Sequence, residues 1–213
     1  MNGFANPYSL VPPVVKLLLI SNGLMFVLEL VYGRSLIINF ALWPLGNTMV
    51  PELDISLPHF QPHQLLTYSF LHGGALHLLL NMYALWLFGT SMENVWGSRI
   101  FTFYYFFCVV GAALVQLLVS SLSHDHYPTI GASGGIFGVL LAFGMRFPNQ
   151  VLMLVFPPAA LKAKWFVAIY AAIELWAGVT GSEAGVAHFA HLGGMFFGLL
   201  LILYWHRYPP RFT

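Results

Sequence analysis

Gly131-Ala132-Ser133-Gly134-Gly135-Ile136-Phe137-Gly138-Val139-Leu140-Leu141-Ala142-Phe143-Gly144-Met145-Arg146-Phe147 is the stretch on which the reading of this chain turns. A polar loop precedes it, and an apolar helix is expected from Ser133 to Phe147. Small residues recur every four positions at Gly134, Gly138 and Ala142, the spacing of a face that lets two helices approach closely. Such a helix rises only about 21 Å, short of an untilted membrane crossing. With Arg146 holding its inner end at the surface, Ser133 would start the helix about 10 Å below the outer edge of the hydrocarbon. Unpaired N–H groups at that depth are tolerated where they line a water-filled cavity, and there they can also stabilise an oxyanion. The G-x-S-x-G string by itself equally fits a small packing residue or a helix N-cap at Ser133.

The rest of the chain puts that helix in a membrane. Of 213 residues, only 8 are Lys or Arg and 7 Asp or Glu, while 59% are hydrophobic. A 7% charged fraction, against about 25% in ordinary soluble domains, cannot coat a water-soluble globule of this size. A disordered chain and a nucleic-acid binder are excluded on the same composition. Cys108, the single cysteine, precludes an intrachain disulfide. Six apolar stretches are expected to span: Val14–Tyr32, Ala75–Val95, Ile100–Val119, Ser133–Phe147, Trp165–Val179 and Ala187–Trp205. The expected fold is therefore all-α, a polytopic membrane bundle forming one domain over residues 1–213.

With the N-terminus inside, Lys16, Arg99, Arg146, Lys162, Lys164, Arg207 and Arg211 all fall inside and only Arg34 outside, as the positive-inside rule requires. Both termini are then cytoplasmic. The first outer connection, Gly33–Gly74, is rich in Pro, His and aromatics and is expected to fold into the outer interface. No N-terminal targeting segment is recognised, which favours a bacterial plasma membrane.

Polar side chains inside spans are costly and mark candidate sites. His191 opens the sixth span in Ala190-His191-Leu192-Gly193-Gly194-Met195-Phe196-Phe197-Gly198, at the depth of Ser133. Gly194 and Gly198 could pack on Gly134 and Gly138, bringing a hydroxyl to an imidazole, the usual base for a serine nucleophile. An interhelical hydrogen bond is the alternative role for His191. His77 and Asn81 lie four apart on one face of the second span and could hold a developing negative charge, or simply bond another helix. Phe137, one turn after Ser133, could lie beneath the imidazole or belong to the core.

Together these residues resemble the rhomboid intramembrane serine proteases. The likeness covers about Gln61 to Trp205 and rests on H-x-x-x-N at His77 and Asn81, G-x-S-G at Gly131 to Gly134, and A-H-x-x-G-x-x-x-G at Ala190 to Gly198. It implies a serine endopeptidase acting through a Ser133–His191 dyad without an acid, with no metal or other cofactor. The Ser133 N–H, His77 and Asn81 would hold the oxyanion, and Phe137 would stack on the histidine. Its partners would be single-span transmembrane substrates, the lipid bilayer, and water as co-substrate. Substrates would enter between the second and fifth spans, under a cap at Thr180–Val186. Two positions depart from the family: His63-Gln64 stand where many members have Trp-Arg, and residue 137 is Phe where some have Tyr.

Glu93, with Gly97, Ser98 and Arg99 nearby, reads as a hydrogen-bonded anchor at a helix end, while Glu29 and Glu174 each await a polar partner or the interface. Asp125 is a minor candidate for a third triad member. A transporter is disfavoured because no repeat or charged span is visible. A metal enzyme is disfavoured because H-E-x-x-H is absent and His188 is expected to have no carboxylate or Cys nearby to complete a site. An aspartyl protease is excluded, since no span holds Asp. A catalytically inactive relative that binds membrane clients is the remaining alternative.

Overall fold

In a computed structural model the described residues are 9–45, 49–50, 55–56, 58–123, 127–154, 159–181 and 187–210. The architecture is helical. The longest elements are α1 (Pro13–Phe40), α5 (Ser98–Ser123), α6 (Ser133–Arg146), α7 (Ala163–Thr180) and α8 (His188–Arg207). A further continuous helix, Ala75–Trp96, comprises α3 (Ala75–Ala84), one π turn at Leu85–Gly89 and α4 (Thr90–Trp96). The π turn lies between His77 and Asn81 on one side and Glu93 on the other. Each of the six apolar stretches lies on one of these helices. Among the described residues, four helices are long and apolar enough to cross a membrane: Pro13–Phe40, Ala75–Trp96, Ser98–Ser123 and His188–Arg207. The apolar α6 is shorter.

Two features differ from the expectation. Helix α1 does not stop at Tyr32; the backbone leaves helical geometry there (φ −119°, ψ 19°) and then resumes to Phe40. The connection that follows α1 thus begins eight residues later than its composition suggests. Short strands also appear in this otherwise helical chain. Strands β1 (Met49–Val50) and β2 (Ile55–Ser56) pair within that connection, and an antiparallel ribbon joins α6 to α7. The ribbon pairs β3 (Val151–Leu154) with β4 (Ala159–Lys162). Neither connection continues a helix, so local pairing satisfies the backbone instead.

His63 and Gln64 fasten the connection to the end of α1. The His63 ring donates to the Asn39 carbonyl at 2.8 Å. The short helix α2 (Gln64–Thr67) carries a buried Gln64, whose Oε1 accepts the N–H groups of Trp43 (3.3 Å) and Gln61 (3.1 Å). Thr67 donates to the Phe40 carbonyl at 2.8 Å.

Helix α1 shows how a buried helix start is satisfied. Pro13 lacks an N–H, and the next two amides are taken by one carboxylate from another helix: Val14 donates to Glu93 Oε1 at 2.9 Å and Val15 to Oε2 at 2.8 Å. Ser98 donates to the same carboxylate at 2.7 Å. Glu93 is therefore the expected helix-end anchor, and the helix it anchors is α1. Glu93→Ala is expected to lower stability by about 2–4 kcal/mol, because it leaves one buried and one part-buried N–H group unpaired. Denaturant titration of detergent-solubilised protein measures this, and Glu93→Gln, which keeps one acceptor, should lose less.

Helix α8 packs against both α5 and α6, and α7 lies on α6 and α8. The approach of α6 to α8 is set by glycine. A Cβ at Gly194 would overlap the Gly134 carbonyl oxygen, and one at Gly138 would lie 3.0 Å from the Gly194 oxygen. The two backbones therefore touch directly.

Candidate active site

Helix α6 begins at Ser133 without a side-chain cap, and its first described backbone bond is Ile136 N–H to the Ala132 carbonyl at 3.1 Å. The amides of the opening turn have no partner within the helix, and Ser133 itself is half-buried. Gly131, held by its N–H to the Tyr68 carbonyl (3.0 Å), has φ +125°, a conformation that a side chain would strain. A Cβ there would also meet His77 Nε2 at 3.0 Å and Ser133 Oγ at 3.5 Å. The bare Cα thus leaves a gap bordered by an imidazole and a hydroxyl.

The glycine contact between α6 and α8 brings His191 onto Ser133. His191 Nε2 lies 2.7 Å from Ser133 Oγ, although 58 residues separate them in the chain. Phe137 stacks on the imidazole, centroids 4.3 Å apart and planes 4° from parallel. Both rings are thereby fixed face to face, which a hydroxyl-free Phe does as well as Tyr.

The other nitrogen of His191 meets Glu174. His191 Nδ1 is 2.9 Å from Glu174 Oε2, and His188 Nδ1 is 2.7 Å from the same oxygen. A carboxylate only accepts, so both Nδ1 atoms carry hydrogen, and the His191 Nε2 lone pair is left for the Ser133 hydroxyl. This corrects one expectation: His188 does have a carboxylate beside it, supplied by α7 and invisible to local spacing. The same carboxylate lies behind His191, on the side away from Ser133. Glu174 finds the polar partner expected of it, and Glu29 does too, accepting the His72 N–H through both oxygens at 3.1–3.2 Å. Asp125 and part of the expected cap, residues 182–186, lie outside the described residues.

On the second expected oxyanion group, His77 Nδ1 accepts the Gly73 N–H at 3.3 Å. Neutral His77 then carries its hydrogen on Nε2, the atom facing Gly131. Asn81 turns one amide hydrogen back onto the His77 carbonyl at 2.9 Å, leaving the second for another acceptor. Neighbouring His72, in the loop before α3, is held down at about 4 by burial first and by the nearby His77 second. It stays neutral at physiological pH.

Three donor atoms, one each from Glu174, His188 and His191, lie within 4.8 Å of one another, a set that could hold a metal ion. Their mutual hydrogen bonds already satisfy all three. An ion there would take the Nδ1 lone pairs, force hydrogen onto His191 Nε2, and so remove the acceptor that Ser133 now faces.

Comparison with known proteins bears on this arrangement. A family model described as the Rhomboid domain matches residues 59–208, which include every residue of this site. "Presenilin-associated rhomboid-like protein, mitochondrial" of Rattus norvegicus is 33% identical over 150 residues, covering 67% of this chain and 38% of the rat protein. "Rhomboid protein 1, mitochondrial" of Saccharomyces cerevisiae is 36% identical over 137 residues, 62% of this chain and 38% of the yeast protein. "RHOMBOID-like protein 4" of Arabidopsis thaliana is 33% identical over 140 residues, 65% of this chain and 32% of the plant protein. The matched region thus spans about a third of the length of these relatives.

Proposed function

Because this chain belongs to the rhomboid family, we propose that it is an intramembrane serine endopeptidase that cleaves transmembrane segments of other membrane proteins. One observation carries the reading: the 2.7 Å contact of Ser133 Oγ with His191 Nε2 at the uncapped start of α6. Ser133 Oγ attacks the scissile carbonyl carbon while His191 Nε2 takes its proton. The carbonyl π electrons move to oxygen, which the Ser133 N–H and His77 Nε2–H receive, with Asn81 alongside. As the C–N bond breaks, His191 returns the proton to the leaving amine. Water then repeats the sequence on the acyl-enzyme.

The proposed arrangement is one domain over residues 1–213, with six spans and both termini on the side richest in Lys and Arg. Substrates are single-span helices that unwind locally, since a helical backbone offers no accessible peptide bond. They enter between the Ala75–Trp96 helix and α7. The bacterial plasma membrane favoured by the sequence finds no support in the names of the rat and yeast relatives, which are mitochondrial. A mitochondrial membrane therefore joins it as a setting to test by fractionation.

The experiment is incubation of purified full-length protein in liposomes with a single-span substrate, alongside labelling by a fluorophosphonate probe. Two substrate fragments and a labelled chain are expected. Absence of both overturns the reading. His77→Ala and Asn81→Ala are each expected to lower kcat about 100- to 1000-fold, as loss of an oxyanion donor does. An unchanged kcat in either removes that residue from the mechanism.

A further inference from the structure

We infer that Glu174 is a positioning residue for His191, and that His188 positions Glu174 in turn, so that the base belongs to a Ser–His–Glu relay with a second histidine behind it. The inference rests on the endopeptidase reading and deepens it.

The geometry has four parts. Glu174, His188 and His191 are all buried, at 9%, 6% and 9% exposure. A carboxylate in such a place is costly unless its oxygens are hydrogen-bonded, and here one oxygen takes two N–H groups. His188 and His191 are three apart on α8, so they project from the same side of it. Their rings stand 85° apart, so the two N–H groups approach Oε2 from different directions and hold the carboxylate against swinging.

The chemical effect follows from the donor on each nitrogen. With Nδ1–H bonded to Glu174, His191 is locked in the tautomer whose Nε2 accepts the serine proton. The imidazolium formed during attack then has a negative charge at 2.9 Å. Glu174 remains a carboxylate throughout. The proton travels from Ser133 Oγ to His191 Nε2 and on to the leaving amine, and none passes to the acid. Stacking on Phe137 fixes the plane of the imidazole but leaves its tautomer and its rotation within that plane open. Glu174 sets both.

The test uses full-length protein in liposomes, with cleavage kinetics and the rate of fluorophosphonate labelling as readouts. Glu174→Gln keeps the shape and removes the charge. It is expected to lower kcat and the labelling rate about 100- to 10,000-fold while KM stays within about twofold. Glu174→Asp should recover at least about tenfold over Gln, a rescue that a purely structural role does not predict. His188→Gln, which loosens the carboxylate and leaves His191 its partner, should cost about tenfold in kcat; it also serves if Glu174→Gln fails to fold. A chelator should leave wild type unchanged, and loss of activity on chelation would replace the relay with a bound ion. Active wild type with equally active Glu174→Gln overturns the relay alone. Wild type that neither cleaves nor labels overturns the hydrolase reading beneath it.

Discussion

Ser133→Ala is expected to abolish both cleavage of a transmembrane substrate and covalent labelling by a fluorophosphonate, with the protein still folded. The Ser133 Oγ, the proposed nucleophile, lies 2.7 Å from the His191 Nε2, and alanine deletes it without adding bulk. The hydroxyl does not cap α6, so its removal leaves the helix start as it is. What remains is electrostatic stabilisation by the amides and His77, which in serine hydrolases leaves about 10³–10⁴-fold over water. That is below detection for a peptide bond. His191→Ala is expected to match it, because the two groups act as one unit and either loss disables both. The control is a thermal midpoint within a few degrees of wild type. Retained cleavage in either variant would remove the pair from the mechanism.

Gly194→Ala should also lower activity strongly while touching no reacting atom. A Cβ at 194 would overlap the Gly134 carbonyl oxygen, a backbone atom that cannot rotate away. Helices α6 and α8 must then separate by on the order of 1 Å, a displacement that can cost about 100-fold in rate when it moves catalytic groups. Gly134 follows Ser133 directly and Gly194 is one turn beyond His191, so the separation falls on the Ser–His contact itself. We expect kcat to fall about 100-fold or more, and stability to fall by about 1–3 kcal/mol from overpacking. Gly23→Ala is the matched control, since a Cβ there meets no atom within 4 Å, and it should leave kcat unchanged.

Much of this was legible in the sequence because it follows from local rules. Runs of apolar residues mark helices, and the α6 start at Ser133 was marked by a polar loop ahead of a small-residue face. The small residues at 134 and 194 announced which helices touch, and that places Ser133 beside His191. Legibility failed where a partner arrives from a distant segment. Glu174 sits in an apolar helix with nothing near it in sequence to mark His191 as its partner, and His188 seemed isolated for the same reason. Sequence cannot say which way α7 is turned about its axis, and that rotation decides whether Glu174 meets lipid or imidazole. The extension of α1 to Phe40 was missed because Gly33 and Arg34 look like an ending. The bend at Tyr32 lets the helix pass through them.

Two helix starts in this molecule use the same chemical resource in opposite ways. Each offers amide hydrogens with no partner in its own helix. At α1 a carboxylate from elsewhere consumes them, and the return is a fixed joint between three helices. At α6 no side-chain cap is present, so the helix bearing the proposed nucleophile starts with amides that no side chain has claimed. On the proposed mechanism, that hydrogen-bonding capacity is held in reserve for a reaction intermediate. Folding free energy is thereby conceded at one end of the bundle and recovered at the other, where Glu93 holds the structure together.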